Sequence, residues 1–454
     1  MENLRCQQEV TAAAATAAPL NYGHIPLVEL QSKTPVNVND WTSIEALNNS
    51  LENKPVQIRG WLQTIRCKKM ITFLVIRETS FTVQCVVDSQ SQPALVKFAA
   101  ALSKESIVDV QGVVSIPPSP IKGATQQVEI QVRKLYCVSK AATLPINIED
   151  AARSEFEIEE AIQAGKQLAR VKQDTRLNFR VLDLRTPANQ AIFRIQSRVG
   201  NEFRKFLLDK NFVEIHTPKL IAGSSEGGAD VFRLEYHGQP ACLAQSPQLH
   251  KQMSICAGFE RVFEIGPVFR AEKSFTHRHL CEFTGLDVEM AIKMHYFEVM
   301  DVVDELFVAI FNSLKTNCKK DLEAVATYKP LKYLQNTLRL TYEEGIQMLK
   351  EDGVVEVKPY GDLNTEAEKR LGQLVLEKHD TEFYILHRYP LAVRPFYTMP
   401  CDDNPNYSNS FDVFLRGEEI ISGSQRIHEL KLLEERAQKC GIDITTIATY
   451  LDAF

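Results

Sequence analysis

The sequence predicts an α+β protein in which a small β-barrel domain precedes a larger domain built around an antiparallel sheet. Residues 44 to 140 contain five alternating or β-branched runs, with one short helical pattern between the third and the fourth. Residues 177 to 454 mix long amphipathic helices with extended runs, and the two types do not alternate regularly. Because a doubly wound parallel sheet requires regular alternation, an α+β arrangement is favoured for the larger domain.

Length and composition are those of a globular protein with two or three domains. The chain has 454 residues, of which 44% are hydrophobic and 24% charged, and its net charge of −6 gives no global nucleic-acid signal. The ten cysteines form no C-x-x-C pair, so neither a zinc site nor a disulfide framework is indicated. No apolar run approaches the ~18 residues of a membrane span, and residues 1–20 do not read as a secretory signal. We therefore expect a cytosolic protein.

The barrel prediction rests on the order of its elements. A flexible extension (residues 1–43) is expected to precede them, and an acidic linker (residues 141–176) to follow. The predicted strands are 56–66, 71–79, 81–88, 106–114 and 126–138, and the predicted helix is 93–103. Three strands, a helix and two strands form an OB-fold, which binds single-stranded nucleic acid. Residues 44–140 hold 12 Lys and Arg against 7 Asp and Glu, a net of +5. A generic small barrel with a solvated basic face remains the alternative.

The larger domain is predicted to contain two long helices, at residues 189–210 and 295–315. The apolar stripe of the first consists of Ile192, Ile195, Val199, Phe203 and Phe206. A strand is predicted directly after it, FVEIHTPKL. The runs CLAQSPQL, RVFEIGPVFRAE, EFTGLDVEMAI and FDVFLRGEEIISGSQR are predicted to be strands of one sheet.

The common short sequence motifs do not point to a function. Neither G-x-G-x-x-G nor a Walker loop occurs. GSSEG fits the G-x-S-x-G pattern of hydrolases around Ser225, but a loop-forming GGAD follows where a helix is required, which disfavours a hydrolase. The triplet HRH, residues 277–279, lacks a third ligand at helical spacing, which disfavours a metal site.

The segment FEIGPVFRAEKSFTHRHLCEFTGLDVEM, residues 263–290, is the densest group of charged and aromatic side chains. The side chains that suit ATP are Arg270 and the pair Arg278 and His279 for phosphates, Phe283 for a purine face, and Glu272 for an exocyclic amine. They describe an ATP site on an antiparallel hairpin. A salt-bridged surface hairpin is the alternative from these residues alone.

This hairpin resembles motif 2 of class II aminoacyl-tRNA synthetases, and the resemblance extends from about residue 44 to the end. FVEIHTPKL resembles their motif 1, which implies that Pro218 lies at a dimer interface. The strings SEGGADVF, LAQSPQLHKQM, VRPFYTM and RGEEIISGSQRIH resemble the amino-acid pocket of aspartyl-tRNA synthetases of the eukaryotic-cytosolic and archaeal type, and NYGHIPL resembles the entry segment of the cytosolic enzymes. QSPQLHKQ favours this family over the asparaginyl enzymes.

The resemblance implies an aspartate–tRNA ligase with ATP, L-aspartate and tRNA(Asp) as substrates and Mg²⁺ bound with ATP. The implied ATP contacts are Arg270, Glu272, Arg278, His279, Leu280, Phe283 and Glu419, with Glu419 and Ser422 holding Mg²⁺. The implied aspartate contacts are Glu226, Gln248, Lys251, Asp287, Ser422 and Arg426, and the catalytic set is Arg270, Lys251 and Arg426. In the OB-fold, Phe73, Gln84 and Glu129 would read the anticodon, with core filling as the alternative for Phe73. A homodimer, membership of a multi-synthetase complex and no membrane are the further partner expectations.

Two departures from the family pattern affect these expectations. The lysine-rich N-terminal helix of many higher eukaryotic members is absent from this sequence. After IATYLDAF the family continues into motif 3, which supplies an arginine for the ATP γ-phosphate, whereas this sequence ends at Phe454. We therefore expect a catalytic domain that is incomplete before motif 3. A non-catalytic tRNA-binding or dimer-partner protein is the alternative function.

Overall fold

The structure, a computed structural model, describes residues 20–31, 41–68, 71–88, 90–222, 231–273, 279–325, 328–354 and 360–454. The chain divides into two compact units, residues 1–190 and 191–454. The predicted start of the larger domain at residue 177 therefore lies within the first unit.

The first unit contains a closed five-stranded barrel. Its elements are β2 (Pro55–Lys68), β3 (Ile71–Glu78), β4 (Phe81–Asp88), α2 (Pro93–Ala100), β5 (Ile107–Ser115) and β6 (Glu129–Ser139). Around the barrel the order is β2-β3-β4-β6-β5, and β5 pairs back onto β2; only β4 and β6 are parallel. This is the topology that the sequence predicts, and the OB-fold prediction is confirmed.

The barrel closes around aliphatic side chains that alternate along each strand. Ile58, Leu74 and Val110 are among its fully buried residues. Two glycines allow the strands to approach closely. A Cβ at Gly60 would lie 2.5 Å from the Arg77 carbonyl oxygen, and one at Gly112 would lie 2.4 Å from that of Gln131. Any larger residue at either position would force the strands apart.

The part of the N-terminal extension that the structure describes is not all loose chain. Strand β1 (Tyr22–His24) pairs parallel with β6, and a short helix, α1 (Leu27–Leu30), follows it. The Tyr22 ring packs 5.4 Å from that of Phe98 on α2. This differs from the flexible extension predicted for residues 1–43, of which residues 1–19 and 32–40 lie outside the described ranges.

Half of the predicted linker is helical. It contains α3 (Ile148–Ala152), α4 (Glu155–Gln163), α5 (Gln173–Asn178) and, just beyond it, α6 (Arg180–Asp183). A capping box between Ser154 and Glu157 begins α4. The buried carboxylate of Asp183 accepts hydrogen bonds from Arg176 and Arg180. Each helix is short with a narrow apolar face, so hydrophobic periodicity could not reveal it.

The second unit combines long helices with three separately paired sheets among the described residues. Its helices are α7 (Pro187–Asp209, which begins in the first unit), α8 (Gln248–Cys256), α9 (Phe297–Asn317), α10 (Lys319–Ala324), α11 (Tyr342–Glu351), α12 (Thr365–His379), α13 (Leu430–Lys439) and α14 (Ala448–Leu451). Its strands are β7 (Val213–Glu214), β8 (Leu220–Ile221), β9 (Arg233–Tyr236), β10 (Gln239–Leu243), β11 (Arg261–Phe269), β12 (Glu282–Met290), β13 (Leu338–Thr341), β14 (Phe383–His387), β15 (Ser410–Leu415) and β16 (Glu418–Ser424). The sheet orders are β8-β10-β9, β12-β11-β7 and β13-β14-β15-β16.

The α+β class is confirmed, but three strand predictions are wrong in detail. The four predicted runs lie in three sheets and not in one, because hydrogen-bond pairing cannot be read from alternation. CLAQSPQL ends its strand at Leu243 and then enters α8. FVEIHTPKL forms only the two-residue strands β7 and β8.

The predicted helices are confirmed as α7 and α9, which share a core cluster. Phe203 and Leu207 on α7 pack with Phe263 on β11 and with Leu306 on α9. The first residue of the predicted stripe, Ile192, is instead 39% exposed. No helix of the described residues is both long and apolar enough to cross a membrane.

Candidate active site

Helix α8 presents a buried polar face. Gln248, Lys251 and Gln252 lie three and four residues apart, which places them on one side of the helix, and each is at most 4% exposed. Buried polar side chains require hydrogen-bond partners. A polar face this deeply buried therefore indicates a built site.

Strand β12 supplies the partners. Asp287 and Glu289 are two residues apart, so they project from the same face of the strand. Lys251 Nζ donates to Asp287 Oδ1 at 2.6 Å and to the Val288 carbonyl oxygen at 3.3 Å, and it lies 3.6 Å from Glu289 Oε2. The Asp287 side chain is 28% exposed, whereas that of Lys251 is 2% exposed. The carboxylate of Asp287 thus lies at the open side of the site.

Arg426, just after β16, brings a second cation to the same place. Its Nη2 donates to Gln248 Oε1 at 2.8 Å and its Nε to Glu289 Oε1 at 3.3 Å. Its Nη1 donates to Ser424 Oγ, and its guanidinium lies 5.0 Å from the centre of the Tyr397 ring. Two cations and two carboxylates are therefore held together in a largely buried pocket, which we call the four-charge pocket: Lys251, Arg426, Asp287 and Glu289.

The β11–β12 hairpin carries the predicted ATP residues. Arg270 follows β11; its backbone amide donates to the Cys281 carbonyl oxygen at 3.0 Å, and its Nε donates to that of Gln245 at 3.4 Å. The guanidinium lies 5.4 Å from the centre of the Phe283 ring. Arg270 and Phe283 thus form a cation–aromatic pair, the arrangement that the ATP prediction requires of them.

For the remaining residues of the predicted ATP and aspartate sites in this region, the structure shows few contacts or does not describe them. The backbone amide of Glu272 bonds to the Arg270 carbonyl oxygen at 2.8 Å. His279 and Leu280 lie exposed at the base of the hairpin tip. Arg278, Glu226 and Ser225 lie outside the described residues, as does most of the HRH triplet.

The candidate magnesium residues, Glu419 and Ser422, lie on β16. Ser422 pairs in register with Asp412 on β15, and its Oγ accepts a hydrogen bond from Arg394 Nη1 at 3.0 Å. Arg394 also donates twice to Asp412, at 2.9 and 2.6 Å, and lies 3.9 Å from the Tyr389 ring centre. Burial opposes the charge of Arg394, but the attraction of Asp412 outweighs it and raises the pKa of the guanidinium.

The donor set at β16 fits magnesium bound with a polyphosphate. No group of three or more His, Cys, Asp or Glu side chains within the described ranges could hold a metal ion by itself. The donors present on β16 are the Glu419 carboxylate and the Ser422 hydroxyl; both oxygens of the neighbouring Asp412 already accept from Arg394. Mg²⁺ is commonly held by one or two carboxylates together with substrate phosphates, which is what this arrangement offers.

The predicted anticodon residues meet on the faces of the barrel strands that point away from the core, where Gln84 is only 6% exposed. Gln84 on β4 is the register partner of Glu129 on β6, and its Nε2 donates to Glu129 Oε1. Arg66 Nη2 donates to Gln84 Oε1 at 2.8 Å, and its guanidinium lies 5.8 Å from the Phe73 ring centre. Phe73 is half-buried, on the opposite face of β3 from the core residue Leu74. This position favours the stacking prediction over core filling.

The predicted interface residue, Pro218, is exposed between β7 and β8. Its neighbours are fixed by the buried carboxylate of Glu264 on β11. Thr217 donates to it through its backbone amide at 3.0 Å and its hydroxyl at 2.7 Å, and Lys219 Nζ lies 2.8 Å from it. The segment that carries Pro218 is thereby tied to the strand that leads to Arg270.

Sequence analysis missed several residues of the site. Glu289 had a local signal, because it lies two residues from Asp287 on one strand. Asp412 also had one, since it is a single carboxylate within the buried run SFDVFL. Gln252 and Arg394 lie within LAQSPQLHKQM and VRPFYTM, strings that resemble the amino-acid pocket, whereas Tyr450 had no such signal because only the fold brings it to the site.

Two family models match the chain. One, described as tRNA synthetases class II (D, K and N), matches residues 172–454, and the other, described as an OB-fold nucleic acid binding domain, matches residues 56–138. The chain therefore belongs to the class II aminoacyl-tRNA synthetases. It is 62% identical to the cytoplasmic aspartate–tRNA ligase 2 of Arabidopsis thaliana, over 96% of this chain and 81% of that protein. Within its class, the chain is a member of the aspartate–tRNA ligase family.

Solved structures agree with this assignment. The aspartyl-tRNA synthetase of Entamoeba histolytica is 43% identical, with a TM-score of 0.86 and coverage of 96% of this chain and 88% of that one. An asparaginyl-tRNA synthetase of Pyrococcus horikoshii, complexed with asparaginyl-adenylate, is 29% identical, with a TM-score of 0.75 and coverage of 90% and 88%. The fold is thus shared with an asparaginyl enzyme, so the fold alone does not select the amino acid.

Proposed function

We propose that the protein is an aspartate–tRNA ligase that acts in cytoplasmic translation. It activates L-aspartate with ATP to give aspartyl-adenylate and pyrophosphate, and then transfers the aspartyl group to the 3′ end of tRNA(Asp). The observation that carries this proposal is the four-charge pocket, in which Lys251 and Arg426 stand beside Asp287 and Glu289.

The charge pattern of this pocket complements aspartate. The substrate carries one ammonium group and two carboxylates. The ammonium group would be held by the carboxylate side of the pocket at Asp287, together with Glu226. The side-chain carboxylate would be clamped by Lys251 and Arg426, with Gln248 and Ser422 completing the contacts. Asparagine would present a neutral amide to Lys251 and Arg426, so the charge-assisted contacts that the aspartate carboxylate makes with them would be lost in a buried site, which is costly.

The first chemical step requires alignment and charge neutralisation, and no protein nucleophile. An oxygen of the aspartate α-carboxylate bonds to the α-phosphorus of ATP, and pyrophosphate leaves. Arg270 holds the α-phosphate against the attacking carboxylate, and Phe283 supports the adenine. Mg²⁺ bound with ATP at Glu419 and Ser422 would neutralise phosphate charge. The remaining ATP contacts are Glu272, Arg278, His279 and Leu280.

The tRNA is bound through the barrel in this proposal. Phe73 stacks on an anticodon base, and Gln84 and Glu129 contact base edges. Support comes from the outward position of Phe73 and from the cations beside it, Arg66 and Lys68. The functional unit is a homodimer with Pro218 at its interface.

ATP–pyrophosphate exchange with aspartate, asparagine and lysine tests the amino-acid choice. These are the three amino acids that the D, K and N group of synthetases covers. We expect aspartate to support exchange and asparagine to be at least ~100-fold less effective, because a site built for a charged group rejects the analogue that lacks it. Comparable exchange with asparagine or lysine would contradict the proposal.

A further inference from the structure

A line of side-chain hydrogen bonds connects the last helix of the chain with the four-charge pocket. Gln252 Nε2 donates to the Tyr450 hydroxyl at 3.0 Å, and Gln248 Nε2 donates to Gln252 Oε1 at 3.0 Å. Gln248 Oε1 in turn accepts from Arg426 Nη2 at 2.8 Å. Tyr450 lies on α14, which the function proposed above does not use.

The orientation of each glutamine amide in this line follows from whether its partner can donate or accept a hydrogen bond. A guanidinium can only donate, so the oxygen of Gln248 must face Arg426. A carboxylate can only accept, and Gln248 Nε2 accordingly also donates to Glu289 Oε2, at 3.1 Å. The oxygen of Gln252 must then face Gln248, which leaves the Gln252 amide nitrogen to find an acceptor elsewhere. Tyr450 provides that acceptor.

Burial makes the line intolerant of a flipped amide. Gln248 and Gln252 are each 4% exposed and Tyr450 is 2% exposed, so solvent cannot replace a lost partner. If Gln252 turned over, its nitrogen would face the nitrogen of Gln248, and two donors would oppose one another. Arg426 and Glu289 set the orientation of the two amides, and the Tyr450 hydroxyl satisfies the Gln252 nitrogen that this orientation leaves over and holds that side chain in place.

The Tyr450 ring also packs among residues that surround Arg426. Its ring belongs to a core cluster with Leu249, Phe396 and Tyr397. Tyr397 is the ring that lies beneath the guanidinium of Arg426. Helix α14 thus contacts the Arg426 environment by packing on one side and by hydrogen bonds on the other.

We propose that Tyr450 and Gln252 are positioning residues for amino-acid recognition. Resting on the proposed function, this inference adds that the line from Tyr450 fixes the Gln248 amide, and through it the Arg426 guanidinium that takes the side-chain carboxylate of aspartate. Neither residue touches the substrate. Their loss weakens aspartate binding and leaves ATP binding intact.

Tyr450→Phe in the full chain is the central test, because it removes one hydroxyl and keeps the ring. Isothermal titration calorimetry with L-aspartate and, separately, with ATP and Mg²⁺ measures the two affinities. We expect the aspartate Kd to rise about tenfold, the usual effect of one lost hydrogen bond in a buried line, with the ATP Kd unchanged. In exchange assays the KM for aspartate should rise more than kcat falls.

Tyr384→Phe is the matched control. Tyr384 is fully buried in a different core cluster, and within the described residues its hydroxyl has no hydrogen-bond partner. Its loss should leave both Kd values unchanged, while thermal melts of both variants verify that they fold.

A double-variant cycle separates the hydrogen-bond line from packing. Gln252→Met breaks the line nearer the pocket, so adding Tyr450→Phe to it should cause no further loss of aspartate affinity. Additive losses, an unchanged aspartate Kd in Tyr450→Phe, or equal losses for aspartate and ATP would each overturn the inference alone. Absence of aspartate binding by the unaltered protein would instead overturn the proposed function, and this inference with it.

Discussion

The two units each hold a buried glutamine between an arginine and a glutamate, with Gln248 4% and Gln84 6% exposed, and the two sites differ in how far the charged partners are exposed. In the second unit, Gln248 accepts from Arg426 and donates to Glu289, whose side chains are 19% and 10% exposed. On the barrel, Gln84 accepts from Arg66 and donates to Glu129, but Arg66 is exposed and Glu129 is half-buried.

The difference teaches what each arrangement can bind. In the four-charge pocket a partner that is lost cannot be replaced by water, so the polar groups are fixed before a small charged ligand arrives. On the barrel Arg66 can leave Gln84 for solvent or for a phosphate at little cost. The buried charged partners of the four-charge pocket suit strict discrimination of one small molecule. The exposed Arg66 on the barrel suits binding of an extended, flexible nucleic acid.

The largest effect is expected when the cation Arg426 is removed from the four-charge pocket. Arg426→Leu should lower aspartate-dependent ATP–pyrophosphate exchange by at least ~100-fold, about 2.7 kcal/mol, because a charge-assisted pair with the substrate is lost. Arg370→Leu, which removes an exposed ion pair with Asp352, is the control and should have no effect. Unchanged exchange in Arg426→Leu would rule out the pocket assignment.

A smaller effect, limited to tRNA binding, is expected when Phe73 of the barrel is replaced. Phe73→Ala should weaken tRNA binding by about 1–3 kcal/mol, the usual range for base stacking. Exchange should be unaffected, because aspartate activation takes place without tRNA. Filter binding and exchange assays on the same preparation measure both quantities.

The control for this variant is Phe156→Ala, which removes an exposed phenylalanine of the same unit away from the β-barrel strands. It should change neither quantity. A fall in exchange as large as the fall in tRNA binding would show that Phe73 acts through stability and does not read a base.

The smallest effect is expected on the stability of each unit when Gln248 or Gln84 is replaced. Gln248→Met leaves Arg426, Glu289 and Gln252 with unsatisfied buried groups and should destabilise its unit by about 1–2 kcal/mol. Gln84→Met should cost less than about 1 kcal/mol, because Arg66 is then solvated. Hydrogen exchange of amides in each unit, read by mass spectrometry, measures the two losses separately. Equal losses would mean that burial does not distinguish the two sites.

The sequence by itself determined the elements whose signals are local. Alternating runs and one short helix predicted the barrel, and the 3.6-residue period predicted α7 and α9. At the C-terminal end, the apolar spacing of Leu430, Leu433 and Ala437 is typical of a helix and corresponds to α13. Gly441 adopts a φ of +74°, and the Asp443 side chain accepts from the Thr445 amide as an N-cap. Sequence strings also pointed to Lys251, Arg426 and Asp287 by resemblance to one family.

Only the tertiary structure decided which charges meet. Lys251 and Asp287 are 36 residues apart in the sequence, and Gln252 and Tyr450 are 198 apart. No local pattern encodes such distances, because pairing between distant segments depends on how sheets and helices pack. The same reason explains why four predicted runs were assigned to one sheet but lie in three. The helices between residues 148 and 183 were missed for a different reason, because caps and ion pairs such as those of Asp183 stabilise them, and hydrophobic periodicity does not register such contacts.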